Sequence, residues 1–400
     1  MAEKNRDKEI REEIKRAKRA AAPRKKKPRR TLLFIPVLLL VLGAVFFAAW
    51  RNIDGMDSLR RLFTYNKVDR SEDGKVELFR FDSDRTARYA PLGKRLIAVS
   101  PTRLALLGEN GEEVYSRTVN LASPAIALGN KTAAVYDVGG TEIYIVDERG
   151  LVRDARGESG NGILSATLNG SDYLALTTLK SGCRASVTVY DDGGAPVFAV
   201  NSSEHYISDA RVLSDNRRLA AVSLGEADGM FASSVLFYSF DSDKAVSTAT
   251  LGGATVLLME NLGDRLAVFQ DDRLTFFNAD GSLAGSCRYE YPYLRGYSAG
   301  GDGFVAMQLA RYRSGSSARI STVDAEGTTL GAMDERREIL DVSAAGRYVA
   351  VLYADSLAIY TADLTQYASL SNTGYARQVV MRPDGTALLL GASRAWLFIP

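Results

Sequence analysis

Histidine and cysteine are almost missing from this chain of 400 residues: His205 is its single histidine, and Cys183 and Cys287 are its two cysteines. One histidine cannot build a His-rich metal site within a chain, and any His-dependent triad would have to use His205 itself. Two cysteines support neither a disulfide-dense scaffold nor a four-Cys zinc site. Nothing in the sequence marks an activated nucleophile for His205 to serve, so it reads as a surface histidine. Acidic turns such as Asp191-Asp192 and Asp271-Asp272 fall short of the ligand count of a calcium loop. The expectation is therefore no catalytic residue, no metal ligand and no cofactor. Hydrophobic residues at 46% and charged residues at 24% are ordinary for a globular chain and exclude wholesale disorder or collagen-like repetition.

Net charge is also scarce, with 50 Lys+Arg against 48 Asp+Glu, but the balance conceals two opposed regions. Residues 1–30 hold 14 Lys+Arg and 5 Asp+Glu, a net of +9, and the remaining 370 residues carry a net of −7. Between them, residues 31–50 read TLLFIPVLLLVLGAVFFAAW without a charge. Twenty helical residues reach about 30 Å, the thickness of a bilayer core. Trp50 at the far end suits the headgroup level, and Arg29-Arg30 and Arg51 close the segment. A buried core helix does not fit a segment apolar on all sides. A cleaved signal peptide does not fit a 30-residue leading region with phenylalanine at −3. No cysteine follows for a lipid anchor, and the rest of a twin-arginine motif is absent. The expectation is an uncleaved signal-anchor spanning the bilayer with residues 31–50, with a basic cytoplasmic tail (1–30) and residues 51–400 outside the cytoplasm. The block Arg24-Lys25-Lys26-Lys27 has the composition of a nucleic-acid patch. Beside a membrane span it reads as a topology signal that adheres to anionic lipid headgroups, with no nucleic-acid partner. Residues 51–74 place Ile53, Met56, Leu59, Leu62 and Phe63 at helical spacing, which predicts a juxtamembrane linker with a short helix.

Past residue 75, short β-rich runs alternate with Gly, Asp, Asn and Ser clusters, the pattern of an all-β fold. One apolar strand recurs eight times, as RLIAVS at 95–100, KTAAVY at 131–136, DYLALT at 172–177 and RLAAVS at 218–223, then at 265–270, 303–308, 347–352 and 385–390. An alternating strand follows each, and at 147–150, 191–194, 278–281 and 324–327 a turn of the form Asp/Asn-x-x-Gly then leads to a weaker strand. In such turns Asp or Asn accepts a hydrogen bond from the turn backbone and Gly takes the positive φ. Four strands in about 40 residues is the arithmetic of a propeller blade. The last unit supplies three strands before the chain stops, and one unassigned strand, KVELFRF at 75–81, stands before the first unit. Placed together they complete an eight-bladed β-propeller over residues 75–400, with seven blades as the alternative if one unit is irregular.

The turns and blade count resemble the pyrroloquinoline-quinone-like repeat family of bacterial propellers. Those enzymes dock their blades with a recurrent tryptophan, whereas this region has only Trp396. The layout of basic tail, single span and Gly/Asp-turned propeller is similar to an uncharacterised family of membrane-anchored propellers of Gram-positive bacteria. That resemblance implies an anchored extracytoplasmic domain without an assigned activity.

Loops joining strands two and three share a face with the loops between blades. On it, segments 179–185, 224–234 and 309–318 are long, and the inter-blade segment 288–297, RYEYPYLRGY, is rich in Tyr and Arg. The topology therefore predicts that Tyr289, Tyr291, Tyr293, Arg295, Tyr297, Arg311, Tyr312 and Arg313 lie on one side of one face. Tyr and Arg dominate protein-binding hot spots, and loops on a rigid scaffold commonly carry function. The expectation is a non-enzymatic scaffold that binds a protein or envelope component. The alternatives are a small-ligand or enzymatic propeller, favoured if the central channel gathers acids, amides and a tryptophan, and a transmembrane sensor.

Overall fold

The computed structural model describes residues 11–16, 61, 65, 71, 73–80, 87–108, 112–156, 161–227, 229–315 and 317–400. The chain divides into a unit ending at Phe63 and a unit beginning at Thr64. Residues 11–16 are helical. The predicted span at 31–50, and all but a few residues of the tail and linker, lie outside the described residues. No helix among the described residues is long and apolar enough to cross a membrane.

From residue 75 onward the chain forms eight four-stranded antiparallel sheets. Seven are consecutive, covering 88–118, 124–156, 163–202, 206–250, 256–288, 293–335 and 339–370, here the first to seventh blades. The eighth joins Gln378–Met381, Ala387–Leu390 and Arg394–Phe398 to the N-terminal strand Lys75–Arg80, which pairs antiparallel with Arg394–Phe398. The protein is thus an all-β eight-bladed propeller. One blade shared between the two ends of the sequence lets backbone pairing close the ring.

The position of a strand in its blade explains its sequence. Second strands lie between neighbours on both edges and both faces, so Phe304–Ala310 and Tyr348–Tyr353 are buried at every residue. Outer strands such as Ala245–Thr250 expose alternate residues, which accounts for their weaker apolar signal. Eight apolar clusters follow, each made by two adjacent blades, and together they run round the ring. Each fully buried Leu, Ile or Phe in these seams contributes about 1.5–3 kcal/mol.

The Asp-x-x-Gly turns have the expected chemistry. Asp324 Oδ1 accepts from the Glu326 and Thr328 amides at 3.0 and 2.7 Å, and Gly327 sits at φ +84°. Asp191 and Gly194 (φ +85°) repeat the arrangement. Segment 224–234, predicted as a long loop, is instead largely strand: Arg218–Ala227 and Met230–Ser239 pair as far as Ala227 opposite Met230. Backbone pairing carried to the tip extends the hairpin rather than ending it.

A polar contact locks the second blade to the third. The buried carboxylate of Asp172 accepts from the Asn130, Lys131 and Thr132 amides and from Thr132 Oγ1, through Oδ1 at 2.9–3.0 Å. Gly129 permits this approach, since a Cβ there would stand 2.3 Å from Asp172 Oδ1.

Candidate functional site

Two places gather polar side chains, the rim of the sixth blade and the central channel. The rim is built by the 289–292 link, which leads into Tyr293–Ser298, and by the 311–317 loop between the blade's second and third strands. Arg311 N donates to Ser317 O, and Gly315 N to Tyr312 O, with Gly315 at φ +84°, so the loop folds back on itself. That turn sets Arg311 5.6 Å from the Tyr291 ring centroid and Arg313 5.8 Å from that of Tyr293. Arg319 closes on Tyr291 from the third strand at 5.2 Å. Its guanidinium binds Asp334 with two contacts, 2.8 and 3.1 Å, and also pairs with Glu290. The Tyr291 hydroxyl donates to the same Asp334 at 3.0 Å. The hydrogen bond from Arg319, then that from Tyr291, holds the Asp334 carboxyl below its ordinary value, and Asp334 in turn pushes the Tyr291 phenol up. Tyr312 is exposed at the loop crest, and Arg295 lies beside the Gly315 turn.

Two of the predicted residues leave this group. Tyr289 is buried in the seam between the fifth and sixth blades, where its ring packs with Phe269, Leu274 and Leu309. Tyr297 points along the innermost strand into the channel, with its ring centroid 4.7 Å from that of Phe269. The expectation of one face for all eight residues is corrected there. Strand alternation and the register shift between Leu294 and Gly296 direct Tyr297 inward rather than to the rim. Tyr291, Tyr293, Arg311 and Arg313 do meet, with Tyr312 and Arg295 at their border.

The channel holds a cavity of about 650 Å³, bordered among others by Tyr136, Arg211, Glu260, Tyr297, Asp341 and Gln378. Arg211 pairs with Glu260 at 3.1 Å. Asp209, one turn of the pleat away, accepts from Ser165 Oγ at 2.7 Å, and Asp341 accepts from the Val342 and Val379 amides at 2.9 and 2.8 Å. Burial pushes the Asp209, Glu260 and Asp341 carboxyl groups upward, and it raises the Tyr136 and Tyr297 phenols as well. Register shifts fall beside two of these acids, between Ile207 and Asp209 and between Ile339 and Asp341, in the innermost strands. Bulges of this kind re-aim side chains. The acids and the amide named as the mark of a ligand-binding channel are present, whereas Trp396 packs against Gly374 and Gly391 at the edge of the eighth blade. Sequence reasoning missed Asp209, Glu260 and Asp341. Their signal was an acidic residue inside the first strand of a blade, a position at which the first strands of the other five blades carry no acid.

His205 is exposed, and its amide donates to Ser202 Oγ. Cys183 and Cys287 are free thiols. Among the described residues no group of three His, Cys, Asp or Glu side chains is placed to hold a metal ion.

Comparison with known proteins places the chain by sequence and by fold. The profile of a family of unknown function, DUF5711, matches residues 65–380, which is most of the chain and nearly all of the propeller. The chain belongs to DUF5711. A search of curated proteins found no match. Among solved structures, this DUF5711 propeller is similar to BamB from Moraxella catarrhalis, at 13% identity and a TM-score of 0.51, covering 81% of this chain and 97% of that one. It is also similar to the computationally designed Ika8 protein, at 10% identity and TM-score 0.57, covering 81% and 99%. The C-terminal WD40 domain of Sif2 matches at 13% identity and TM-score 0.56, covering 82% and 98%. At these identities the likeness is one of fold.

Proposed function

We propose that this DUF5711 chain is a membrane-anchored binding scaffold without catalytic activity. In this reading residues 31–50 hold it in the bilayer, and residues 1–30 stay in the cytoplasm against anionic headgroups. The propeller stands outside the cytoplasm and presents its sixth-blade rim to a protein or envelope component, as the resemblance to anchored Gram-positive propellers implies. The observation that carries the proposal is the rim itself. Tyr291 and Tyr293 are each flanked by arginine, on loops braced by Arg319 and Asp334 at the edge of a rigid sheet. Preset aromatic and guanidinium groups of this kind lose little side-chain freedom when a partner docks.

The test is a photo-crosslinking residue in place of Tyr312 in the anchored protein, irradiated in its own membranes. A discrete adduct should form, and it should disappear when Tyr291, Tyr293 and Arg311 are all replaced by alanine. An adduct that survives the triple substitution would remove the rim from the binding site.

The channel supports a second reading, a small-ligand site. The Arg211–Glu260 pair and Asp341 face one cavity from the fourth, fifth and seventh blades. Native mass spectrometry of the purified protein should then retain a bound small molecule that Arg211→Met releases. A spectrum free of bound mass would set this reading aside.

A further inference from the structure

We infer that the cleft between the sixth and seventh blades is an anion site for phosphate groups carried along a flexible polyanionic chain, a reading that rests on the rim as a binding face and names its ligand class. The cleft has a volume of about 420 Å³, and Arg295, Gln308, Ser314, Arg336, Arg337 and Glu338 are among the residues that line it. Its charges do not cancel locally. Arg337 is committed to Glu335 at 2.6 Å and is stacked 3.7 Å from the Tyr353 ring centroid. Glu290 and Asp334 are both committed to Arg319. Arg295, Arg313 and Arg336 make no ion pair among the described residues, Arg311 lies in the field of Asp334 without an ion-pair contact, and Glu338 lines the cleft beside Arg336 and Arg337. Three guanidiniums without an ion-pair partner, with Arg311 beside them, thus concentrate in one sector of a region that is acidic outside the tail.

The type of cation matters as much as its number. No lysine follows Lys244, so every cation of the fifth to seventh blades is arginine. A guanidinium presents a planar fork that matches two oxygens of one phosphate, whereas an ammonium offers a point charge. Gln308 adds a neutral donor beside Arg295 and Arg336. Gly315, at φ +84° with Arg295 Nη2 3.6 Å from where a Cβ would stand, keeps the cleft wall low beside that fork. Arg295 and Arg336 line the cleft while Arg311 and Arg313 lie over Tyr291 and Tyr293 on the adjoining rim, and this division between two places points to a ligand that repeats its charge. The chemistry favours phosphate over an acidic peptide. The Tyr291 and Tyr293 rings already have arginines over them, and Ile339 and Leu340 are the only apolar residues lining the cleft. A peptide would lack the pockets that anchor its side chains.

Isothermal titration of the full chain in detergent with short-chain inorganic polyphosphate tests this. Saturable binding that weakens as salt rises is expected. The double variant Arg295→Gln with Arg336→Gln should bind about tenfold or more weakly, since each fork contributes charge-assisted hydrogen bonds. Arg377→Gln, an exposed arginine outside the cleft, should bind as the unchanged protein does. Unchanged binding by the double variant would overturn the site. Equal affinity for polyglutamate of matched charge would overturn the choice of phosphate and favour an acidic peptide. Absent polyphosphate binding with the Tyr312 crosslink retained would overturn the ligand class alone, and loss of both would overturn the binding face as well.

Discussion

Around the channel, Asp209, Glu260 and Asp341 sit among innermost strands, and burial lifts their carboxyl groups above the ordinary carboxylate range. On the sixth-blade rim the neighbouring acids Asp334 and Glu335 lie below it. Burial works against ionisation of Glu335 too, but hydrogen bonds from the Arg337 side chain and from the Arg337 and Arg336 amides hold it at about 2. The two regions use the same residue types, Tyr, Arg, Asp and Glu, yet their charges answer pH with opposite signs. An acid raised on folding binds protons more readily in the folded state. Its contribution to stability therefore falls as pH rises from the unfolded value through the folded one. A lowered acid contributes fully above its unfolded value, and that contribution is lost as pH falls toward the folded one. What separates them is the depth of burial, set against whether a guanidinium fork binds the carboxylate. Arg337 and Arg319 serve the rim acids with forks, whereas the channel has the single Arg211 for Asp209 and Glu260.

The interior carboxylate with the most donors should give the largest effect. Asp172→Ala strands three backbone amides and a hydroxyl and should cost about 3 kcal/mol in chemical denaturation. A loss below about 1 kcal/mol would show that the second and third blades are held by apolar contact alone. Glu335→Gln should cost about 1 kcal/mol at neutral pH, since solvent screens part of the pair, and the deficit should shrink as the solution is acidified toward the value of about 2. A deficit independent of pH would break the contrast between rim and channel. Asp209→Asn keeps an acceptor for Ser165 and should change stability by less than about 1 kcal/mol. It should also flatten the fall of Tm as pH rises above the ordinary carboxylate range, and an unchanged slope would deny the channel its share of the pH response. The smallest effect belongs to Tyr312→Ser, within about 0.5 kcal/mol, because that side chain is exposed at the loop crest.

The blade repeat was legible because the second strand of each unit is buried on both faces, so RLAVFQ at 265–270 and RYVAVL at 347–352 stand out as apolar runs. The turns were legible because Asp324 and Gly327 satisfy a local demand, a hydrogen bond and a positive φ, that depends on a few residues only. The binding face was legible in part. Loop membership correctly grouped Tyr291, Tyr293, Arg311 and Arg313, but it could not separate Tyr289, buried in a seam, from Tyr297, turned into the channel. Which way those two rings point depends on a bulge and on the neighbouring blade, and neither leaves a mark in the segment itself.

By itself the sequence determined the repeat, the four-stranded unit and the strand left over at the N-terminus, because each follows from local hydrogen bonding and from which residues must leave water. Only the tertiary structure decided that Arg211, Glu260 and Asp341 meet at one cavity, that Asp172 bridges two blades, and that Arg295 and Arg336 share a cleft in which arginines outnumber acids. Those contacts join residues tens of positions apart through ring closure, and their energies depend on distance and burial, which come into being only when the blades close.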